Sequence, residues 1–269
     1  MKKSIELNFM EAGLENGEPT TLANEAYARL RHDMVAGLFP AGEPLRLEAL
    51  RAKYGYSFSP LREALNRLRS ERLVELSALR GFRMSPLSLD EMWDAIETRI
   101  MVECQALRLS IMQGGYDWEA RVVGAFHSFS RVTESARSAD RGDQSIVSEI
   151  ERHHHDFHFA LISASRSRWL NEFAAQLYAH TERYRRPALS AHGEATSHVR
   201  DVVGEHKALM DVSIARDVDQ AVELLSQHYR KTGKAIEEWL SIGTKSVGGV
   251  DAAATAKAAK RKSKSSTED

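Results

Sequence analysis

Residues 54–76 read Tyr-Gly-Tyr-Ser-Phe-Ser-Pro-Leu-Arg-Glu-Ala-Leu-Asn-Arg-Leu-Arg-Ser-Glu-Arg-Leu-Val-Glu-Leu, and this stretch leaves few folds open. Gly55 marks a turn, and Ser57 or Ser59 can cap a helix. Pro60 falls near the first helical position, where a missing N–H costs nothing. Leu61, Ala64, Leu65 and Leu68 recur at helical spacing and make one face apolar, while Arg62, Asn66, Arg67 and Arg69 occupy the other. Leu45, Leu47, Leu50 and Tyr54 predict a short helix just before it. Helix, tight turn and helix with a polar N-terminus is the layout of a helix-turn-helix, whose second helix enters the DNA major groove. Leu73–Leu76 alternates apolar and polar, 77–81 turns, and Phe82–Met84 returns, which predicts a two-stranded wing with Arg80, Gly81 and Arg83 about its tip.

An amphipathic helix with arginines on its outer face is often no more than a solvated helix. Order along the chain favours the DNA reading, because three helices are followed by a basic hairpin. Charge agrees. From Ala41 to Pro86 there are nine Lys/Arg against five Asp/Glu, a local charge of +4 in a chain of net charge −1. Neutralising phosphates supplies most of the affinity for DNA, so a local basic surface is the expected footprint.

The chain has 269 residues, enough for two domains. No apolar run is long enough to span a bilayer, so a membrane is not an expected partner. The first residues carry no signal-peptide apolar core, and Cys104 is the only cysteine, which fits the cytoplasm. Cys104 lies between apolar helical neighbours and reads as a buried core thiol.

Four regions are expected. Residues 1–20 lack periodicity and form a flexible leader. Residues 21–86 form the winged helix-turn-helix, opening with a helix on Leu22, Ala26, Leu30, Met34 and Val35 that Gly37 and Pro40 stop. Residues 89–242 contain no convincing strand. Ser88 and Glu91 form a capping-box pair, and six apolar helical stripes follow. Gly114-Gly115 ends the first, Gly142 breaks the chain before the third, Pro187 ends the fourth, and the last passes through Ile236 and Leu240. The fold class is therefore mainly α, a winged helix-turn-helix followed by an all-α six-helix bundle. Residues 243–269 are Ala/Lys/Ser-rich and predict a disordered basic tail, either a weak nonspecific DNA contact or a passive solubilising segment.

Eleven histidines are present, and four of them share a pattern. His154 and His158 are four apart on one helix face; His155 and Asp156 lie off it. His206 falls in the Val202/Val203/Leu209/Met210 stripe, and His228 in the Leu224/Leu225/Ile236 stripe. A single histidine on an apolar face is usually a hydrogen-bonded core residue. Four imidazoles from three helices aimed at one interior predict a transition-metal site that suits zinc, nickel, copper or iron(II), zinc first with nickel next; the alternative is a metal-free structural or pH-sensitive core.

The residues resemble a known family at two places. Ser57-Phe-Ser-Pro-Leu-Arg-Glu-Ala-Leu65, Leu68, Leu73–Leu76 and Arg80-Gly-Phe82 are similar to the DNA-binding domain of GntR-type bacterial repressors, in which the turn reads Val-Ser-Arg-Thr-Pro-Val-Arg-Glu-Ala-Leu. The resemblance places Ser57, Ser59, Pro60 and Arg62 at DNA-contacting positions and Gly81 at the wing glycine. Phe58 stands where the family carries arginine, and offers apolar contact such as with a thymine methyl instead of a bidentate bond to guanine. Asn66, Arg67, Arg80 and Arg83 complete the expected DNA-binding set. Residues 89–240 resemble the helical effector (FCD) domain of the FadR branch, whose metal-binding members show Asp, three residues, His, and two later His about 21 residues apart. By that resemblance His158, His206 and His228 are ligands, and His154 replaces the usual Asp or Asn. Glu97-Thr-Arg99 and Glu103 resemble the opening of the same domain, where an arginine helps bind an organic carboxylate. Arg99 is the candidate, with a surface salt bridge as the alternative.

The resemblance implies a homodimeric transcriptional regulator, of repressor type, that binds double-stranded operator DNA and responds to a small carboxylate at the metal. The rival from another class is an all-α metal phosphohydrolase built on the His155-Asp156 doublet. It lacks a placed acid/base and leaves the winged helix unexplained.

Overall fold

The structure, a computed structural model, describes residues 21–78, 80–136, 144–191 and 200–246; the expected leader, the Gly142 break and the tail beyond Ser246 lie outside them. The chain divides into two compact units that meet at Ser88 and Leu89.

The first unit contains α1 (Leu22–Val35), α2 (Leu47–Tyr54), α3 (Phe58–Ser70), β1 (Val74–Ser77) and β2 (Gly81–Met84). Thr21 caps α1 by accepting from the Asn24 amide at 3.2 Å. Gly55 ends α2 at φ 79°, a left-handed conformation that glycine adopts without Cβ strain, and its N–H closes on the Arg51 carbonyl at 2.9 Å. Ser57 sits at the N-cap of α3 but its side chain makes no capping bond there, and Pro60 is the third helical residue, not the first. Proline is tolerated at that depth because the first four helical N–H groups have no intrahelical acceptor. Leu61, Ala64, Leu65 and Leu68 are fully buried against Leu30, Leu50, Leu73 and Val74. Two polar struts join α1 to the end of α3: Glu71 accepts from the Tyr27 hydroxyl and from Arg31 at 3.0 Å, and Arg67 donates to Asn24 at 2.7 Å.

The wing is displaced by one residue from the sequence expectation. Val74 pairs with Met84 and Ser77 with Gly81. Leu73 is only half in the ladder: its carbonyl accepts from the Ser85 N–H at 3.0 Å, but its own N–H goes back to the Leu68 carbonyl at 3.0 Å. A single bridge, not legible in the sequence, pairs Pro44 with Arg83 beside β2: Leu45 donates to Phe82 and Met84 donates to Glu43, each at 2.8 Å.

The second unit is α4 (Leu89–Gln113), α5 (Tyr116–Ser135), α6 (Gln144–Ile162), α7 (Arg168–Ala191), α8 (Val202–Ile214) and α9 (Val218–Ser246). α4 begins directly after Ser88, as the capping-box pattern predicts. α7 runs past Pro187 and α9 past Gly243, where the sequence suggested ends. An internal proline removes one backbone bond and bends a helix, and a glycine costs about 1 kcal/mol, but neither must terminate it. α4 packs on α7 and α9, α5 on α6 and α8, and α8 on α9. Trp118, Phe129, Phe157, Leu107 and Ile111 are among the fully buried side chains, and the Trp118 indole N–H donates to the Ala160 carbonyl at 3.0 Å. Cys104 is a buried core thiol as expected, its pKa pushed up to about 12, chiefly by burial. No helix among the described residues is long and apolar enough to cross a membrane.

The first unit hangs its recognition helix on four leucine and alanine contacts. Leu65→Ala is expected to destabilise it by about 2–5 kcal/mol, read as a lower urea midpoint for loss of helical circular dichroism.

Candidate functional site

The stripe pattern brings His154 and His158 of α6, His206 of α8 and His228 of α9 to one interior point. One ligand atom from each lies within 4.8 Å of the others, and His158 Nε2 is 3.2 Å from both His154 Nε2 and His206 Nε2. His158 and His206 are 1 % exposed. Phe129 and Phe157 wall the cluster against His206, with ring centres 4.7 and 5.3 Å away.

The outward nitrogens decide the chemistry. His206 Nδ1 is 2.6 Å from the Val202 carbonyl one turn back, an acceptor only, so Nδ1 carries the proton. His228 Nδ1 lies 2.9 Å from a Glu205 carboxylate oxygen and 3.2 Å from Arg200 Nη2, a donor only; the shorter contact, with the acceptor, puts the proton on Nδ1. The Tyr229 hydroxyl donates to Glu103, so its oxygen accepts from His158 Nδ1 at 3.0 Å. The Tyr178 hydroxyl donates to the Glu151 carbonyl at 3.5 Å, so its oxygen accepts from Arg185 at 2.8 Å and from His154 Nδ1 at 3.3 Å. With every Nδ1 proton directed outward, four Nε2 lone pairs face one another. The two pairs 3.2 Å apart match the edge of about 3.3 Å that a tetrahedral ion with 2.0–2.1 Å bonds requires, and all four nitrogens lie within 4.8 Å of one another. A cation satisfies such a set, and a proton is a poor substitute. Burial first, and then the neighbouring imidazoles and arginines, hold His154 and His158 well below the usual histidine range; burial and His228 do the same to His206. His228 is lowered to about 4 by burial, partly offset by its bond to Glu205.

A shell of charge surrounds the imidazoles. Arg200 grips Glu205 through Nε at 2.9 Å and Nη2 at 2.5 Å. Burial alone would raise the Glu205 pKa, but His228 and Arg200 together hold it well below the usual carboxylate range. Such an imidazole–carboxylate pair fixes both tautomer and ring orientation of a metal ligand. On the far side Arg185 pairs with Glu151 and lies over the Tyr178 ring at 4.7 Å.

Arg99 is not on the surface. It is 4 % exposed, bound to Glu103, to Thr181 at 3.2 Å and to the Tyr229 hydroxyl at 3.2 Å, one side chain removed from His158. Arg99 and Arg185 thus each have a buried glutamate, Glu103 and Glu151, and Arg200 has Glu205. Glu103 was singled out in the sequence only beside Arg99, and Glu151, Tyr178, Arg185, Arg200 and Tyr229 were not singled out at all. A helical wheel would have drawn attention to two sets, since Glu151, His154 and His158 share a face of α6, as Tyr178, Thr181 and Arg185 do of α7. Outside the ring, a cleft of about 330 Å³ between α8 and α9 is lined in part by Asp201, Glu205, Leu224, His228 and Lys231. The His155 and Asp156 side chains are 43 % and 47 % exposed and take no part in the cluster.

In the first unit Ser57, Phe58, Ser59, Arg62 and Asn66 form the exposed N-terminal face of α3, with Pro60 half-buried beside them. Arg80 and Gly81 are exposed at the wing, Gly81 at φ 70°. Two of the expected DNA residues have structural partners. Arg67 holds Asn24 and lies 4.0 Å over the Tyr27 ring, and Arg83 faces Glu75 across the hairpin at 3.7 Å.

A winged helix with an open recognition face, joined to a helical bundle with a polar interior site, is the construction of a DNA-binding transcriptional regulator. The chain belongs to the GntR family: the pattern of bacterial regulatory proteins of the gntR family matches residues 22–84, and that of the FCD domain matches residues 94–231. Over 219 residues it is 39 % identical to the HTH-type transcriptional regulator BphR of Paraburkholderia xenovorans, spanning 81 % of this chain and 86 % of that one. It is 30 % identical to the HTH-type transcriptional repressor GlaR of Escherichia coli over 209 residues, 78 % of this chain and 93 % of that one. E. coli McbR/YncC shares the fold, with a TM-score of 0.66 at 18 % identity over 82 % of this chain and all of that one. The relatives are regulators, and the phosphohydrolase alternative is set aside.

The depressed imidazoles give the metal-free protein a defined pH dependence. Its folded state refuses protons that the unfolded chain accepts at about 6.5, so the unfolded chain binds more protons below that pH. Stability is full above about 6.5 and is lost as pH falls from there toward about 4, where His228 itself titrates. His228 alone contributes on the order of 3 kcal/mol to the complete loss. Urea midpoints of chelator-treated protein are expected to drop between about pH 7.5 and about pH 5.

Proposed function

We propose that this chain is a homodimeric, cytoplasmic repressor of the FadR branch whose operator affinity is set by a small organic carboxylate bound at a metal site among His154, His158, His206 and His228. The observation that carries the metal half is the set of outward Nδ1 bonds, which leaves four convergent lone pairs without protons. All-imidazole donors suit zinc, with nickel as the alternative.

A divalent ion held there supplies a fixed positive charge that four neutral ligands do not cancel. Arg99 and Arg185 are already balanced by Glu103 and Glu151, and Arg200 by Glu205, so these three carboxylates provide no anion to spare. An anionic ligand that completes the coordination relieves this imbalance, and a carboxylate is the simplest such group. Arg99 keeps its place behind Tyr229, with two of its five N–H groups left for a ligand after Glu103, Thr181 and Tyr229 are counted. The cleft beside His228, with Lys231 in its wall, is the candidate route for a molecule of that size.

Three helices carry the ligand set, so a change at the centre is felt by α6, α8 and α9 together. In a dimer, ligand binding that favours one arrangement of the bundle alters the spacing of two recognition helices, and that spacing must match the half-sites. The repressor sense rests on similarity to GlaR.

Untagged protein is expected to carry about one divalent ion per chain by elemental analysis, consistent with a single four-ligand site. His206→Ala should lose the ion and also the rise in Tm that the metal confers on the chelated wild type. With duplexes selected in vitro by the full-length protein, at least one small carboxylate should shift affinity about fivefold or more, and His206→Ala should abolish that response. Indifference to every carboxylate and to chelator would remove the effector half and leave the DNA-binding half standing.

A further inference from the structure

One large apolar side chain stands at the first residue of the recognition helix. Phe58 is 36 % exposed, lies outside the buried cluster that holds the first unit together, and is flanked by Ser57, Ser59 and Arg62. Folding does not use its free surface. The last turn of α2 brings Arg51 over the same ring, with the guanidinium carbon 5.3 Å from the ring centre. Arg51 is exposed and, among the described residues, pairs with no carboxylate. It differs in this from Arg83, which faces Glu75.

Docking geometry gives the two side chains different neighbours on DNA. In a helix-turn-helix the N-terminal end of the second helix meets base edges, while the first helix crosses the sugar–phosphate backbone. Phe58 belongs to the former and Arg51 to the latter. The thymine methyl is the apolar group on the major-groove edges, and a phenyl ring has no other specific base contact there. A guanidinium stacked on an aromatic face loses rotamer freedom before DNA arrives, which favours a defined phosphate contact.

We propose that Arg51 and Phe58 form one composite DNA-reading unit: the Phe58 ring packs on a thymine methyl, and Arg51, held against that ring, pairs with an adjacent phosphate. Phe58 sets specificity at one base pair, and Arg51 supplies sequence-independent affinity. The inference rests on α3 entering the major groove and is independent of the metal site.

In vitro selection from a random duplex library by full-length protein tests it. The wild type should enrich a motif with a fixed thymine that Phe58→Ala no longer requires, the rest of the motif being kept. Replacing that thymine by deoxyuridine, which lacks only the methyl, should weaken wild-type binding about threefold to fivefold, the effect of one buried methyl group, and leave Phe58→Ala unaffected. Arg51→Met keeps an apolar stem on the ring but removes the charge. It should select the wild-type motif, bind every sequence more weakly, and lower the slope of log affinity against log salt by about one. Circular dichroism checks that these surface variants remain folded. Equal binding of thymine and uracil by the wild type, or an unchanged motif for Phe58→Ala, overturns the role of Phe58. An unchanged salt slope for Arg51→Met overturns that of Arg51. If the wild type enriches no motif, the groove-reading premise falls and takes the inference with it; an enriched motif insensitive to both variants sinks the inference alone.

Discussion

Each of the four buried imidazoles commits its single N–H to an acceptor on the outside of the cluster: a helix carbonyl for His206, a carboxylate for His228, a tyrosine oxygen for His154 and another for His158. A neutral imidazole has one donor and one acceptor, so this choice leaves acceptors alone at the centre. Lone pairs 3.2 Å apart repel, and burial keeps protons from relieving them. The bundle therefore gathers acceptors at its core, and its surrounding charges are arranged around that point. Glu205 orients His228 and is itself oriented by Arg200; Glu103 orients Tyr229 and is itself held by Arg99.

The first unit runs on different physics. Its interior is almost wholly aliphatic, and the polar struts from Glu71 and Asn24 tie α1 to α3 at the rim of that core. Rigidity there keeps the exposed face of α3 in a fixed shape. Arginines in this unit divide into those with protein partners and those directed at solvent, a division that the local charge of +4 conceals.

Much of the fold was legible because burial imposes a period. The apolar spacing of Leu61, Ala64, Leu65 and Leu68 and the six stripes after Ser88 located the helices, and Gly55 with its left-handed φ located the turn. Breakers were less informative. Pro187 and Gly243 lie within helices, since each weakens a helix locally while the helix around it continues. The bridge beside β2 was hidden because Glu43–Leu45 has no alternating pattern; its bonds are backbone bonds, made with a partner about forty residues away.

The same distinction holds for the candidate site. The sequence by itself determined that His154 and His158 share a helix face, that His206 and His228 sit on apolar stripes, and that α3 presents a polar N-terminal end, because each is a matter of helical period within one segment. Only the tertiary structure decided that the four rings meet at one point, which nitrogen of each carries the proton, that Arg99 is buried behind Tyr229, and that Arg51 covers Phe58. Those features depend on contacts between residues as far apart as Glu103 and Tyr229, and no local periodicity encodes the distance between two separate helices.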